Sequence, residues 1–340
     1  MLTTIELENF RNHKDFRLEL SPVTAIIGKN GVGKSNILEA IYLVSACRSF
    51  REDDRRNLVM IGNDFARIKA DELEIFIQNA PTFLLRAKEN GAFRKQSDFI
   101  GTKKSVIFSP EMILLINGSP RLRRRFLDIM ISQSERHYLK EVMAFEKVRA
   151  ERNSLLQKIF EHRAQTDELD FWNKEFISLG QSIVEARLLA IKKLNKRLSS
   201  LYRSVSGNPK DKLQIEYENS APEGLEEAIK QNIWREIRSK RSLFGPHRDD
   251  LVFNLNDKPM ASFASRGECR SAILALKIAE LEFLTDENDK PMLLLDDLFS
   301  EFDLDRRSHL SKLIENYQTV LTTTDSSYLV DIKECKVVEL

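Results

Sequence analysis

The eight residues from Gly28 to Ser35 have the spacing G-x-x-x-x-G-K-S. Glycines let backbone N–H groups turn inward around phosphates, because no Cβ stands in the way. Lys34 would bring positive charge to the β and γ phosphates, and the Ser35 hydroxyl would bind Mg²⁺. The alternative is a glycine-rich turn without a ligand. The predicted nucleotide-binding residues are Gly28, Lys29, Asn30, Gly31, Val32, Gly33, Lys34 and Ser35.

The sequence around this segment favours the phosphate-binding interpretation. The apolar run Val23 to Ile27 precedes it and predicts a strand buried on both faces. Apolar residues at helical spacing follow it, from Ile37 to Val44. A helix that begins at the loop would direct its partial positive charge at the bound anion.

A second set of residues suited to chemistry ends the apolar run Met292 to Leu295, where Asp296 and Asp297 follow. Alone, such a turn is common. With a phosphate loop about 260 residues upstream, it is the expected Walker B partner. Asp296 is predicted to hold Mg²⁺ through water, and Asp297 to orient or deprotonate the attacking water, with Lys34 as the other catalytic residue. The long separation is typical of ABC and SMC heads.

Ser265-Arg266-Gly267-Glu268 precedes a predicted helix and lies about 30 residues before Asp296. It resembles the S-G-G-Q signature of ABC-type ATPases, whose serine and glycine backbone reach the γ-phosphate held by the opposite subunit. The resemblance implies that Ser265 and Gly267 bind nucleotide. A capping box between Ser265 and Glu268 is a second interpretation, and both can be true. Glu268 near a γ-phosphate is unfavourable unless it turns away or pairs with Arg270.

The elements around these residues alternate between strands and helices at both ends of the chain. Between 119 and 205, Pro and Gly almost vanish, and the helical spacing predicts two long helices at about 120–165 and 168–205. We therefore predict an α/β fold, a P-loop NTPase of ABC/SMC-head type with an inserted helical lobe. The predicted segments are a first ATPase segment at 1–115, the helical lobe at 116–242 and a returning ATPase segment at 243–340.

The composition excludes several classes of protein. The 53 basic and 52 acidic residues nearly balance, so net charge gives no indication of a nucleic-acid partner. Three scattered cysteines fit a reducing compartment, without a disulfide framework or a zinc site. The N-terminus does not resemble a signal peptide, and the apolar runs are too short to span a bilayer. We expect a cytoplasmic protein with no membrane partner.

Several segments together resemble the RecF family of bacterial recombination proteins, in family order along essentially the whole chain. Glu268 in the signature and Phe302, where leucine is usual, depart from the family pattern. The matching segments are Asn9-Phe10-Arg11-Asn12, Gly28 to Ser35, Arg48 to Arg51, Phe108 to Glu111, Gly118 to Pro120, Arg123 to Asp128, Glu151 to Leu156, Phe244 to Asp250, Ser265 to Gly267, Leu295 to Asp297 and Ser300 to Asp303.

This resemblance implies a function in recombinational repair, replication-fork maintenance and the SOS response. The implied protein binds ATP and Mg²⁺, and Arg11 and Asn12 join the nucleotide site. It dimerises with ATP on double-stranded DNA, at gaps or junctions and without sequence preference. It helps RecA to load past single-strand-binding protein, with RecR-like and RecO-like partners. ABC transporters have a histidine after the last strand, whereas Thr322 to Thr324 stand here, and RecF-like proteins also lack that histidine. Hydrolysis would be slow if the short Asp297 side chain is the only base.

Clustered basic residues are candidates for DNA contact, although each cluster has a plainer interpretation. Arg121 to Arg125 would alternatively pair with acidic neighbours, and 192–197 would form a solvated helix face. A structural or interface role is predicted for His247, beside the turn Gly245-Pro246. An SMC-like or ABC-type ATPase subunit with another partner stays open, as does an ATP-binding regulator with little hydrolysis. The remaining clusters lie at Arg48 to Arg56, Lys103-Lys104 and Arg235 to Arg241.

Overall fold

The computed structural model describes residues 1–287, 289–299, 304–330, 332 and 334–340 of the chain. The segment Ser300 to Asp303, predicted to resemble a D-loop, lies outside these residues. The chain forms two compact units. The first contains residues 1–113, 204–207 and 270–340, and the second contains 114–203 and 208–269. Within the described part of the chain, none of the helices combines the length and apolar character that a bilayer span requires.

The N-terminal part of the first unit is mostly β-structure. Its helices are α1 (Lys34–Ala46) and the single turn α2 (Gln96–Phe99). Its strands are β1 (Thr4–Phe10), β2 (His13–Glu19), β3 (Val23–Ile27), β4 (Phe65–Ala70), β5 (Leu73–Gln78), β6 (Leu84–Glu89), β7 (Ala92–Arg94) and β8 (Ser105–Phe108). The predicted strand Val23 to Ile27 is confirmed, and β7 was not predicted.

Six of these strands form an antiparallel sheet in the order β2-β1-β4-β5-β6-β7. Alternate residues such as Ile68, Ile75 and Leu85 are buried, so one face of the sheet packs on the core and the other is open. Helix α1 packs against β1, β4 and β5 of this sheet and also against β8.

The second unit is mainly helical. Its helices are α3 (Leu114–Asn117), α4 (Pro120–Ser134), α5 (Arg136–Phe160), α6 (Leu169–Ser206), α7 (Leu225–Ser239) and α8 (Met260–Phe263). Strands β9 (Leu213–Glu218), β10 (Asp250–Leu255) and β11 (Lys258–Pro259) form a small antiparallel sheet in the order β11-β10-β9.

The prediction of one helix over 120–165 was wrong, because the helix is interrupted at Glu135. This residue is extended, with φ −127° and ψ 96°, and its N–H donates to the carbonyl oxygen of Ile131. The break lets α4 and α5 pack against each other. Helix propensity and spacing did not reveal it, since the tertiary contacts between α4 and α5 outweigh local continuity.

The chain returns to the first unit through α9 (Arg266–Leu284), β12 (Met292–Asp296), α10 (Leu304–Ile314), β13 (Thr319–Thr323) and β14 (Cys335–Glu339). These strands join β3 and β8 in a parallel sheet in the order β14-β3-β13-β12-β8. The segment predicted to return to the ATPase domain begins at residue 243. In the structure, 208–269 lie in the second unit, because β10 pairs with β9 along its whole length.

The turn from Phe244 to Asp250 lies in the second unit and ends in two carboxylates that accept several hydrogen bonds. Asp250 accepts bonds from Nε and Nη2 of Arg123, both at 2.8 Å. The buried Asp249 accepts the Tyr217 hydroxyl at 2.5 Å and the Ser220 N–H at 2.7 Å. Arg123 is therefore engaged in an ion pair, which confirms for this residue the alternative of acidic neighbours over an open basic cluster.

His247 in this turn is enclosed by aromatic rings. Its ring centroid lies 5.9 Å from that of Phe145 and 6.0 Å from that of Phe176. Its Nε2 lies 3.2 Å from the Ser242 carbonyl oxygen, which fixes the proton on Nε2. Burial is the main reason that the pKa of His247 falls to about 3.

Candidate nucleotide-binding site

The predicted phosphate loop joins β3 to α1. Gly31 and Gly33 have φ values of +86° and +110°, a conformation that side chains with a Cβ rarely adopt. A Cβ at Gly33 would lie 2.6 Å from the Asn12 side chain and from Nε2 of His13. At Gly31 a Cβ would meet no described heavy atom within 4 Å. The loop thus needs glycine at both positions, for conformation at Gly31 and also for close packing at Gly33.

Lys34 is the first residue of α1, and its side chain turns back across the loop. Its ammonium donates to the carbonyl oxygens of Gly28 at 2.7 Å and Lys29 at 3.1 Å. The side chain is buried, with 6% of the residue exposed. The N–H groups that begin α1 have no acceptor inside their own helix, so they and the ammonium together favour an anion here.

The structure brings Ser35 and Asp296 together from opposite ends of the chain. The Ser35 hydroxyl donates to Oδ1 of Asp296 at 2.6 Å. A hydroxyl and a carboxylate beside a phosphate-binding loop are the oxygen ligands that suit Mg²⁺. Burial raises the pKa of Asp296, opposed by hydrogen bonds from Ser35 and Thr322 and by the charge of Arg51.

Thr322 connects both predicted acidic residues, a role that the sequence did not reveal. Its hydroxyl donates to Oδ1 of Asp296 at 2.9 Å and accepts the N–H of Asp297 at 3.0 Å. Thr322 is completely buried in β13, where it stands opposite Asp296 in the parallel register. Asp297 follows the strand with φ +49°. The role of Thr322 could have been found only from the pairing of β12 with β13, which the sequence does not specify.

Two family-implied residues lie in the tight turn between β1 and β2. Nδ2 of Asn12 donates to the Val32 carbonyl oxygen at 2.9 Å, so Asn12 contacts the phosphate loop directly. Nε and Nη2 of Arg11 pair at 2.8 Å with the carboxylate of Glu39, which is fully buried in α1. The sequence did not predict Glu39, a buried acid that fixes the direction of Arg11.

The signature segment lies in the second unit, and its local structure is a capping box. The Ser265 N–H donates to Oε2 of Glu268 at 2.7 Å, and the Glu268 N–H donates to the Ser265 hydroxyl at 3.3 Å. The hydrogen bond from the Ser265 backbone N–H is the main cause that lowers the pKa of Glu268, and the bond with the Ser265 side chain adds to it. The carboxylate is therefore turned back onto its own helix start. Nucleotide contact by Ser265 and Gly267 stays a prediction.

Comparison with known proteins identifies the family. A family model described as an AAA ATPase domain matches residues 1–332. A protein of Lachnoclostridium phytofermentans described as DNA replication and repair protein RecF is 34% identical over 95% of this chain and 92% of its own. The chain belongs to the RecF family. Its RecF relatives thus cover the nucleotide site and the helical unit alike.

Solved structures agree with this assignment and with the predicted fold. The structure described as the recombination mediator protein RecF-ATP in the RecFOR pathway is 33% identical, with a TM-score of 0.89 over 96% of this chain and 92% of that one. An SmcHead bound to the C-winged helix domain of ScpA has a TM-score of 0.55 over 100% of this chain and 94% of that chain, at 16% identity. The predicted ABC/SMC-head fold is confirmed.

Proposed function

We propose that this chain is an ATP-dependent DNA-binding protein of recombinational repair and replication-fork maintenance. The observation that carries the proposal is the contact between the Ser35 hydroxyl and Asp296, which completes the loop around Lys34. Membership of the RecF family supports the repair function. The RecF-ATP structure supports ATP as the nucleotide.

In the proposed mechanism, the loop N–H groups and the Lys34 ammonium hold the triphosphate. Ser35 and Asp296 would hold Mg²⁺, which neutralises phosphate charge when it is bound. Thr322 keeps Asp296 facing Ser35 and fixes the backbone of Asp297. Asp297 orients the attacking water and accepts its proton, and its short side chain makes hydrolysis slow and switch-like.

A second copy of the chain would complete the site. Ser265 and the backbone of Gly267 lie at the start of a 19-residue helix, where N–H groups favour a γ-phosphate held by the partner. Because Glu268 is bonded to the Ser265 N–H, its charge is directed into the helix cap. Bound triphosphate thereby stabilises the dimer, and hydrolysis releases it.

The proposed ligand of the dimer is double-stranded DNA at gaps or junctions, bound without sequence preference. The proposed action is to help RecA loading in the cytoplasm together with RecR-like and RecO-like partners, as part of the SOS response. The RecFOR pathway named for the solved relative supports these partners. We also propose that the predicted segments 1–115, 116–242 and 243–340 describe the functional division of the chain.

The test is the mass of the protein in solution with ADP, ATP or a slowly hydrolysed ATP analogue, with and without gapped duplex DNA. We expect monomers with ADP and dimers with the analogue. Ser265→Arg should prevent the dimer but leave nucleotide binding intact. Ser178→Arg changes another exposed serine, on α6, and is the matched control. A dimer that forms equally with every nucleotide would contradict the switch.

A further inference from the structure

The open face of the antiparallel sheet is divided into two halves of opposite charge. Strand register and the buried alternate residues show which side chains point outward. On β1 and β2 the outward charges are mainly acidic, namely Glu6, Glu8, Asp15 and Glu19 against Arg17. On β4 to β7 they are mainly basic, namely Arg67, Lys69, Arg86 and Lys88 against Glu74. We call the outward side of β4 to β7 the basic face.

Phenylalanine rings lie between these cations. Phe93 on the edge strand β7 is 63% exposed. The Arg86 guanidinium and the Lys88 ammonium each lie 5.3 Å from its ring centroid. Phe65 and Phe76 stack with their centroids 5.6 Å apart, and Arg67 lies 5.9 and 5.8 Å from the two rings. Three flat apolar surfaces thus accompany four positive charges on one half of a sheet.

The acidic half shows that this arrangement is not general to the sheet. There the acidic side chains are paired, either within the acidic half, as in Arg17–Glu6 at 3.2 Å, or with the adjacent strand β4, as in Arg67–Glu8 at 2.9 Å. On the basic face, Lys88 pairs with Glu74 at 2.9 Å, whereas Arg86 and Lys69 form no ion pair among the residues that the structure describes. Their charge is available to an anionic ligand.

We propose that the basic face binds a short stretch of single-stranded nucleic acid. Bases stack on Phe93 and on the Phe65–Phe76 pair, while Arg86 and Lys69 contact phosphates. Aromatic rings beside basic groups are how proteins bind single strands without reading sequence. Phe76 and Phe93 are separated by two strands and two residues, roughly 12 Å, so a few nucleotides span both.

A duplex fits this face less well, because its base faces are already stacked and only its phosphates would be contacted. An acidic peptide likewise uses the cations and leaves the rings without a ligand. The inference rests on the proposed function for the class of ligand. It differs in requiring no ATP, since every contributing side chain belongs to the antiparallel sheet of the first unit.

The experiment measures the fluorescence anisotropy of labelled oligo-dT of about 15 nucleotides, a length that covers one such site. A hairpin duplex of the same length is the comparison. Phe93→Leu should weaken oligo-dT binding about tenfold, the loss expected for one stacked base. Phe171→Leu is the matched control, because Phe171 is 62% exposed on α6. It should leave the affinity unchanged.

A second variant tests the phosphate contacts. Arg86→Gln should reduce the dependence of log affinity on log salt by about 0.7 for a single strand. Arg17→Gln on the acidic half is its control and should leave that slope unchanged. Thermal unfolding of all variants should match the wild type, because the changed side chains are largely solvent-exposed.

The outcomes separate this inference from the proposed function. If gapped duplex binds with ATP but Phe93→Leu leaves oligo-dT affinity unchanged, the inference fails alone. If no DNA binds under any condition, the proposed function fails with it. Equal weakening of duplex and oligo-dT by Phe93→Leu would overturn base stacking. A polyglutamate peptide that binds where oligo-dT does not would assign the face to a protein.

Discussion

The phosphate loop and the turn from Phe244 to Asp250 are both rich in polar side chains, yet they use them differently. Two residues before that turn, the Ser242 hydroxyl accepts a hydrogen bond from Arg152, a buried cation that is held by a buried carboxylate. Arg152 and Glu236 are both fully buried and paired at 2.6 Å. At the loop, the Lys34 ammonium is held by carbonyl oxygens, which carry no net charge.

This contrast gives a way to separate binding residues from structural ones. A cation paired with a carboxylate is neutralised, and it would lose that partner by binding a phosphate. A cation held by carbonyls keeps its charge for an anionic ligand. By this criterion we predict that Lys34 binds a ligand and that Arg152 is structural. Substitutions of Arg152, Lys34, His247 and Thr322 test this division, and the substitution of Arg152 should have the strongest effect.

Arg152→Ala should destabilise the second unit by about 3–5 kcal/mol, because it leaves the buried Glu236 carboxylate without its partner. The chain has two tryptophans, Trp172 and Trp234, and both lie in the second unit. Tryptophan fluorescence during urea unfolding therefore reports on this unit. Arg238→Ala, an exposed arginine on α7, should change stability little. Equal stability of Arg152→Ala and the wild type would show that Arg152 is not a structural residue.

Lys34→Ala should lower ATP affinity about 100-fold, or about 2.7 kcal/mol, since the triphosphate loses its nearest cation. Equilibrium binding of a fluorescent ATP analogue measures this. Lys29→Ala is the control in the same loop, because the Lys29 side chain is exposed and its carbonyl oxygen is unchanged. Urea unfolding of both variants, followed by far-UV circular dichroism so that the first unit is also observed, should match the wild type. A large loss of stability in Lys34→Ala would contradict the division, because it would give Lys34 a structural role.

His247 should make the second unit less stable in acid. Its pKa is about 3 in the folded protein and near 6.5 when unfolded, so the unfolded chain binds the proton first as pH falls. The stability contributed by the neutral imidazole is present above pH 6.5 and declines toward pH 3. At pH 5 the loss is about 2 kcal/mol relative to pH 7.5. In His247→Gln the decrease in the free energy of urea unfolding between pH 7.5 and pH 5 should be smaller by that amount, and an unchanged decrease would refute the low pKa of His247.

Thr322→Val should raise the Mg²⁺ concentration needed for tight ATP binding about tenfold, because Asp296 loses a hydrogen bond that fixes it beside Ser35. Thr322→Ser keeps the hydroxyl and should bind Mg²⁺ and ATP like the wild type. A titration of Mg²⁺ against a fixed amount of fluorescent ATP analogue measures this directly. If valine and serine behave alike, Thr322 is only a packing residue.

The local geometry of the phosphate loop could be predicted from the sequence. Glycine at Gly31 and Gly33 is required by backbone conformation, and the apolar strand and helix around them follow from short-range pattern. The two motifs also led to the expectation that Ser35 and Asp296 serve one Mg²⁺ site, but the residues lie 261 positions apart and their 2.6 Å contact belongs to the tertiary structure. The features of the loop itself depend on neighbours in the chain, so spacing suffices to predict them.

The partners of these residues were decided by the tertiary structure. Thr322 reaches Asp296 because β13 lies beside β12, Glu39 orients Arg11 because α1 packs under β1, and the helix break at Glu135 follows from packing of α4 on α5. The basic face likewise exists only because four strands align in register. Each depends on contacts between distant residues, whose free energy comes from burial and pairing and leaves no local pattern in the sequence.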